Sequence, residues 1–395
     1  MLNQKPNVLI YRDWLLPPSE TFVLAQAEAL ERFTPYYIGS RLIKEGLRTP
    51  PERTLLLNEY TPIGWAREAS FKMFGFAPAL VAPAKKLKPL LIHAHFGIGG
   101  SLALPLKRYL QIPMIVTYHG YEEMIADDIA QKSYFSYRQY LQRREILKQE
   151  VSLFLTVSQQ SKEHLLQQGF PPDKILVHYT GINTEVFQSK SVKREPVVLF
   201  VARLVEKKGC EYLIRAMSKV QAMQPEMELI IIGDGELRSS LEELAKSSLQ
   251  KYRFLGVQPP DVVKDWMNRA KIFCVPSITA VSGEAEGFGM VFAEAQAMGL
   301  PVVSFASGAI PEAVAHGEVG FLAAERNWEE LADYILLLMT DEQLWHRFST
   351  FGPQRVCSLF DVKKQARLLE KIYEQVIGDR HNLHQVAAST GSLSS

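Results

Sequence analysis

The sequence lacks three features that would each assign it to a distinct class of protein. No apolar run approaches the roughly 18–20 residues that a membrane-spanning helix needs. The three cysteines, Cys210, Cys274 and Cys357, are too few for a disulfide framework in 395 residues and form no CxxC zinc pair. The charges nearly cancel, with 44 Lys and Arg against 43 Asp and Glu, so nothing indicates a nucleic-acid partner.

The start of the chain does not resemble a signal peptide. Arg12, Asp13 and the prolines that follow interrupt the early apolar stretch. Scattered single cysteines suit a reducing compartment. We therefore expect a cytoplasmic protein whose first strand begins near residue 7.

Short apolar runs alternate with helical stretches along the chain, and this pattern predicts an α/β fold with parallel sheets. In the first half the runs are Val8–Tyr11, Leu55–Leu57, Leu90–Ala94, Met114–Thr117, Leu153–Val157 and Ile175–His178. In the second half they are Val197–Val201, Leu229–Ile232, Tyr252–Leu255, Ile272–Val275 and Pro301–Ser304. A chain of 395 residues exceeds what one hydrophobic core supports, so we expect two Rossmann-like, doubly wound domains.

The domain boundary is expected in the polar stretch 188–196 (QSKSVKREP), which has no apolar periodicity and ends in a proline. This predicts an N-terminal domain over 1–187 and a C-terminal domain over 196–358. A last periodic helix covers about 360–377. The polar tail 378–395 is expected to be disordered.

The most informative segment runs from 275 to 304 (VPSITAVSGEAEGFGMVFAEAQAMGLPVVS). Glu286, Gly287, Phe288 and Gly289 lead from a loop into a helix that begins near Met290. The glycines permit close approach of a ligand, and a helix N-terminus favours anions.

Glu294 follows Glu286 by eight residues, which in a continuous helix is about 12 Å. Two carboxylates at that separation suit a ligand with hydroxyl groups at two points. The alternative is a solvated helix residue and an acidic partner of the helix dipole. The apolar and small residues on both sides favour burial, and a buried carboxylate needs a partner.

Two cations stand after the first strand of the second half. Arg203 follows the strand directly, and Lys208 precedes a helix. Cations at the carboxyl end of a parallel strand suit a diphosphate. The alternative is a pair of surface cations on a loop.

The first half offers weaker candidates at strand ends. His119 stands beside a glycine after one strand, and His93 and His95 alternate along another, so at least one of these is expected to be structural. Gly97, Gly99 and Gly100 predict a turn before a helix, but the third position of G-x-G-x-x-G is Leu102. Ser19 is a candidate helix N-cap.

Several of these segments together resemble one family. Residues 286–303 resemble the E-x7-E motif of retaining glycosyltransferases of the GT-B fold, family 4, almost throughout. Residues 200–209 (FVARLVEKKG), 230–237 (IIIGDGEL), 254–256 (FLG), 308–312 (GAIPE) and 116–122 (VTYHGYE) match further family motifs in order.

The resemblance implies a GT-B fold whose two domains face a central cleft, with the C-terminal helix crossing back to the first domain. It implies that Arg203 and Lys208 grip the nucleotide diphosphate. Glu294 would bind the ribose and Glu286 the transferred sugar. The other implied donor-binding positions are Val257, Gly287, Phe288, Gly289 and Met290.

For the first half the resemblance implies a catalytic role for His119. It also implies sugar or acceptor contacts at Ser19, Glu20, Thr21, His95 and Glu122. Glu122 stands where the family more often has Asp, which puts the sugar contact of that position in doubt.

The implied reaction is transfer of a sugar, with retained anomeric configuration, from a UDP- or GDP-sugar to a hydroxyl of a saccharide or lipid-linked saccharide, in exopolysaccharide or cell-surface glycan biosynthesis. The sequence contains no D-x-D, so we expect no metal and no other cofactor. The family's favoured mechanism is a front-face substitution, and we assign no nucleophile.

Three other functions stay open. A nucleotide-sugar epimerase of similar architecture and a non-catalytic sugar-nucleotide-binding protein both fit the motifs. A dinucleotide-dependent oxidoreductase fits less well, because Arg238 occupies the third glycine position after Gly233 and Gly235. The oligomeric state is not indicated.

Two segments mix aromatic and basic residues, namely 65–78 (WAREASFKMFGFAP) and 134–144 (YFSYRQYLQRR). Either suits peripheral contact with a membrane surface, next to a lipid-linked acceptor. Core aromatics with solvated basic faces are an equally good interpretation.

Overall fold

The structure is a computed structural model that describes residues 5–75, 77–120, 122–124, 135–190 and 193–378. It divides into two compact units, one formed by Met1–Gly181 with Val362–Ser395 and the other by Ile182–Asp361. Phe76, Tyr134 and all but the first residue of the predicted tail 378–395 lie outside the described residues.

The first unit is built on a parallel seven-stranded sheet of order β5-β3-β1-β6-β7-β8-β9. Its strands, together with the two-stranded pair β2-β4, are β1 (Asn7–Tyr11), β2 (Trp14–Leu15), β3 (Thr34–Gly39), β4 (Arg41–Leu42), β5 (Thr54–Leu56), β6 (Leu91–His95), β7 (Met114–Tyr118), β8 (Leu153–Thr156) and β9 (Ile175–Val177). Its helices before the second unit are α1 (Thr21–Glu28), α2 (Pro62–Phe74), α3 (Pro78–Lys86), α4 (Gly97–Leu110), α5 (Phe135–Glu150) and α6 (Gln159–Gln167).

The second unit has a parallel six-stranded sheet of order β12-β11-β10-β13-β14-β15. Its strands are β10 (Val197–Val201), β11 (Glu228–Ile232), β12 (Tyr252–Phe254), β13 (Ile272–Cys274), β14 (Val302–Phe305) and β15 (Gly320–Ala323). Its helices are α7 (Cys210–Met223), α8 (Arg238–Ser248), α9 (Pro260–Arg269), α10 (Met290–Ala297), α11 (Ile310–Ala313), α12 (Trp328–Thr340) and α13 (Glu342–Leu359).

The last helix, α14 (Val362–Gly378), belongs to the first unit. The pleat sends Leu9 and Tyr11 of β1 into one apolar cluster and Val8 and Ile10 into the other, so both faces of the sheet are covered. The amphipathic α14 contributes Ala366, Leu369, Ile372, Tyr373 and Val376 to the second of these clusters. Its buried Glu370 accepts hydrogen bonds from the backbone and side chain of Arg32.

Three local expectations are corrected. Of the expected boundary stretch 188–196, the described residues 188–190 and 193–196 lie inside the second unit, where Arg194 donates to the carbonyls of Met267, Ala270 and Met298. The units divide between Gly181 and Ile182 instead. Gly97, Gly99 and Gly100 form the first turn of α4 and are buried, not a loop before it. Ser19 is not a cap, since α1 begins after Glu20 without a side-chain capping bond.

The sequence did not predict β3 and β15, which complete the two large sheets, or the short pair β2 and β4. None of the helices in the described part of the chain combines the length and the apolar character that crossing a bilayer requires.

Candidate functional site

Glu286 lies in the loop that leads from β13 to α10, four residues before the helix begins. Gly289 is the N-cap of α10 with a φ of 77°, in the left-handed region. A Cβ there would come within 2.5 Å of the Phe292 ring. Gly289 is therefore required for the tight entry of the chain into the helix.

Lys208 ends a single 3₁₀ turn, Glu206–Lys208, after β10. Gly209 follows with a φ of 62°, and a Cβ on it would lie 1.9 Å from the carbonyl oxygen of Pro276. Because these backbones approach so closely, the turn after β10 packs directly on the chain leaving β13. This brings Lys208 to the loop that carries Glu286.

Lys208 Nζ donates a hydrogen bond to Glu286 Oε2, and Ser277 Oγ lies 3.3 Å from the same oxygen. Burial alone would raise the pKa of Glu286, but the charge and the hydrogen bond of Lys208 outweigh it and the net effect lowers this pKa. The carboxyl of Glu286 is therefore ionised, and each side chain of the pair is only 12–13% exposed.

The loop 308–309 fixes the backbone of Glu286. Ala309 N–H donates to the Glu286 carbonyl at 2.9 Å. Gly308 has a φ of 58°, and a Cβ on it would lie 2.8 Å from that same carbonyl oxygen. The sequence placed both residues in a family motif but gave no sign of this contact.

The other predicted donor residues differ in their surroundings. Arg203 is exposed and makes no hydrogen bond or ion pair within the described residues. Val257 is 77% exposed. Phe288 is buried and packs edge-on against Phe360 with ring centres 4.9 Å apart, so only its backbone is available to a ligand. Gly287 is buried, and Met290 is half-buried at the first position of α10.

Glu294 lies within α10, one turn from its N-terminus. Burial raises the pKa of this carboxyl to about 7. Within the described part of the chain no cation is paired with Glu294 as Lys208 is with Glu286.

The glycines at 233 and 235 serve backbone packing. A Cβ on Gly233 would lie 1.9 Å from the Ala202 carbonyl oxygen, and one on Gly235 would lie 2.4 Å from that of Leu204. Leu204 N–H also donates to the Asp234 carbonyl at 2.9 Å. The Gly-rich turn thus packs closely on the backbone on either side of Arg203. This packing explains the two glycines, and no bound dinucleotide is needed to account for them.

In the first unit, His119 lies just beyond β7 and His95 ends β6. His95 Nδ1 and His119 Nε2 are 3.0 Å apart. Burial lowers the pKa of both imidazoles well below the usual range, so both rings are neutral near pH 7.

Glu20 is buried and pairs with Arg12, which sequence reasoning missed, through Nε and Nη2 at 2.9 and 2.6 Å. The Arg12 guanidinium also stacks over the Phe96 ring at 4.3 Å. Ser19 and Thr21, the neighbouring predicted contacts, are exposed.

Glu122 is 3% exposed. Its Oε1 lies 3.4 Å from the Ile98 amide in the first turn of α4, and its Oε2 has no hydrogen-bond partner among the residues that the structure describes. Burial and the neighbouring Glu123 raise the pKa of Glu122 to about 8. The longer side chain thus stands buried where the family more often has Asp.

His93 has both ring nitrogens occupied, by the hydroxyls of Tyr373 and Thr117 at 2.6 Å each. It is therefore the structural histidine of the pair expected on β6. Among the residues that the structure describes, no group of three His, Cys, Asp or Glu side chains is arranged to hold a metal ion.

Two family models match the chain. Residues 21–186 match glycosyltransferase family 4, and residues 182–355 match glycosyl transferases group 1. Together the two matches extend over residues 21–355.

Two similar curated proteins carry names from exopolysaccharide biosynthesis. The amylovoran biosynthesis glycosyltransferase AmsK of Erwinia amylovora is 33% identical over 67% of this chain and 65% of its own length. The putative colanic acid biosynthesis glycosyltransferase WcaL of Salmonella typhimurium is 32% identical over 60% of this chain and 59% of its own length. The chain thus spans less than two thirds of each of these relatives.

Solved structures share the fold. Anabaena HepE, in a crystal structure with UDP and glucose, is 21% identical, with a TM-score of 0.71 over 93% of this chain and 99% of that one. Sucrose-phosphate synthase from Thermosynechococcus elongatus is 21% identical, with a TM-score of 0.73 over 94% and 99%. With the two family models and the ordered motifs, these findings show that the chain is a GT-B protein of glycosyltransferase family 4.

Proposed function

We propose that the protein transfers a sugar from a nucleotide-sugar to a hydroxyl of a saccharide or lipid-linked saccharide, with retained anomeric configuration and without a metal. The observation that carries the proposal is the buried Lys208–Glu286 ion pair beside the N-terminus of α10. The pair places side by side a cation that can bind phosphate and a carboxylate that can accept hydrogen bonds from sugar hydroxyls. The names of AmsK and WcaL support exopolysaccharide biosynthesis as the setting.

The chemistry follows from the charges. Cleavage of the donor's anomeric bond leaves a nucleoside diphosphate that gains negative charge as the bond breaks. The exposed Arg203, the ammonium of Lys208 and the positive end of α10 stabilise that charge without a divalent ion. Lys208 then donates hydrogen bonds both to the leaving phosphate and to Glu286. The Glu286 carboxylate orients the sugar hydroxyls.

Glu286 is not assigned as a nucleophile. Its carboxylate is engaged by Lys208 and Ser277. A carboxylate held in this way is a weak nucleophile but a good acceptor for sugar hydroxyls. This is consistent with a front-face substitution, in which the leaving phosphate oxygen takes the acceptor proton.

The test is to compare the turnover of the single variants Arg203→Ala and Lys208→Ala with that of the wild type. Loss of one donor that stabilises transition-state charge lowers turnover by about 10²-fold, and we expect at least that loss in each variant. Lys219→Ala is the control, because Lys219 forms a surface ion pair with Asp333 in the same unit. Near-normal turnover of both variants would remove the diphosphate assignment, and isomerisation of the donor without acceptor would indicate an epimerase.

We also propose that the outer face of α2 contacts an anionic membrane surface. Ile63, Met73 and Phe74 are 65%, 57% and 77% exposed on this helix. Nearby, the Arg41 guanidinium lies between the half-exposed rings of Trp14 and Trp65, at 4.7 and 4.6 Å. Exposed apolar side chains flanked by tryptophans and cations are typical of helices that lie in the interface of a bilayer.

The test is co-sedimentation with vesicles of phosphatidylglycerol, with phosphatidylcholine vesicles for comparison. The double variant Met73→Ser, Phe74→Ser should lose binding to the anionic vesicles. Met223→Ser, which changes a methionine 64% exposed in the second unit, should keep it. Equal binding by both variants, or self-association at the same face, would contradict the proposal.

A further inference from the structure

The ring of His119 contacts two aromatic side chains. Phe22 and Phe96 each lie 4.7 Å from it between ring centres. Phe96 itself has a φ of 68°, in the left-handed region, and its ring is covered by Arg12 at 4.3 Å. A bulky residue in that conformation is strained, so the surrounding contacts must hold it there.

The edge of the His119 ring is held by His95. The two ring planes differ by only 20° and the ring centres lie 5.2 Å apart, with His95 Nδ1 facing His119 Nε2 at 3.0 Å. Two neutral imidazoles in such contact share one proton between the facing nitrogens. The tautomer of His119 is therefore tied to that of His95.

His95 is fixed in its turn by the structural histidine. The rings of His93 and His95 lie 4.4 Å apart, and His93 is hydrogen-bonded to Tyr373 of α14 and Thr117 of β7. A continuous set of contacts thus runs from the C-terminal helix to His119.

We propose that His95 is a positioning residue: it occupies Nε2 of His119, fixes the tautomer and orientation of that ring, and leaves Nδ1 as the nitrogen that meets the donor sugar or the acceptor hydroxyl. His95 then acts through His119 and does not contact the sugar itself. This inference rests on the proposed function, in which His119 takes part in the transfer.

The first test is spectroscopic and needs no turnover. Long-range ¹H–¹⁵N spectra of the full chain labelled with ¹⁵N-histidine distinguish the tautomers, and His119→Ala identifies the His119 signals. At pH 8 we expect one tautomer in the wild type and in His95→Asn, whose amide stands close to the position of Nδ1. In His95→Leu we expect a mixture or the opposite tautomer.

The second test is turnover with UDP-glucose as the probe. In His95→Leu we expect kcat to fall by about 10-fold to 10²-fold, since a catalytic group displaced by about 1 Å costs up to about 10²-fold. The KM for UDP-glucose should stay within about twofold. His95→Asn should restore most of kcat, and His346→Leu, at an exposed histidine in the second unit, should match the wild type.

An unchanged His119 tautomer in His95→Leu overturns the inference, as does failure of His95→Asn to restore turnover while it folds with wild-type thermal stability. Wild-type turnover in His119→Ala would instead remove His119 from the proposed function. The two failures are thereby distinguishable.

Discussion

Lys208 and Glu286 form a buried ion pair between two loops that are 78 residues apart in the sequence. The pair compensates two charges that burial would otherwise make expensive. Under the proposed function it also keeps the site preorganised, because the cation proposed to meet the phosphate and the carboxylate proposed to meet the sugar hydroxyls hold each other in place before a donor binds.

Gly308→Ala should lower turnover by at least about 10-fold, because the new Cβ would push on the Glu286 carbonyl at 2.8 Å and shift the carboxylate by part of an ångström. Gly317→Ala is the matched control. Gly317 also has a positive φ, but no atom lies within 4 Å of the Cβ that alanine would add. Both variants carry the backbone strain of about 1–2 kcal/mol, whereas only the first displaces Glu286. Equal turnover of the two variants would show that Gly308 does not position the site.

Glu294→Gln should weaken UDP binding and remove part of its pH dependence. The pKa of Glu294 is raised to about 7, so its carboxyl gains a proton as the pH falls from 8 to 6. A protonated carboxyl accepts ribose hydroxyls less well, and wild-type affinity should fall over this range. At pH 8 the variant should bind about 10-fold more weakly, since a hydrogen bond to a charged group contributes about 1.5–3 kcal/mol.

The measurement for this prediction is isothermal titration with UDP at several pH values. Because the phosphate of UDP also titrates near pH 6, the relevant quantity is the ratio of wild-type to variant affinity. A ratio that stays constant from pH 6 to 8 would contradict the ribose assignment.

Glu122→Gln should gain thermal stability relative to the wild type as the pH rises. In the folded protein the pKa of Glu122 is raised to about 8, whereas an unfolded chain has a value of about 4.3. Between about pH 4.3 and about pH 8 the folded state therefore binds this proton more tightly than the unfolded state does. The free energy of unfolding of the wild type falls as the pH rises through this range. The difference in Tm between variant and wild type should grow from pH 5 to pH 8 and then level off. A difference independent of pH would contradict the burial of this carboxyl.

Treatment with EDTA should leave at least half of the transfer activity, because in the proposed mechanism cationic side chains and the α10 dipole, and not a metal, stabilise the charge of the diphosphate. The assay is turnover before and after chelation, followed by addition of Mg²⁺ or Mn²⁺. Loss of most activity that either ion restores would overturn the metal-free mechanism.

The sequence predicted most of the fold because the central strands of parallel sheets are buried on both faces and so appear as apolar runs. Strand β3 was missed because Thr34 and Pro35 open it, and β15 because it begins with Gly320. The glycines expected in a turn before α4 belong to the helix itself, where Gly97 packs against Tyr118 and Tyr140 and Gly100 against Val116 too closely for a Cβ.

The site was only partly predictable for a different reason. Local motifs pointed to Glu286 and Lys208, but no local pattern says that Lys208 reaches Glu286 or that Arg12 pairs with Glu20. Such contacts depend on how neighbouring strand ends meet at one edge of a sheet. The alternation of His93 and His95 carried a trace of this signal, since residues two apart on a strand share a face.

The most direct test of the account is saturation-transfer NMR with a panel of UDP- and GDP-sugars, on the wild type and on the double variant Arg203→Ala, Lys208→Ala. We expect transfer to the ribose and sugar protons of at least one donor, and affinity at least about 10-fold weaker in the double variant because two charged contacts to the diphosphate are lost. Absence of transfer to every donor, or equal affinity in the double variant, would contradict the assignment of Arg203, Lys208 and Glu286 to a nucleotide-sugar site.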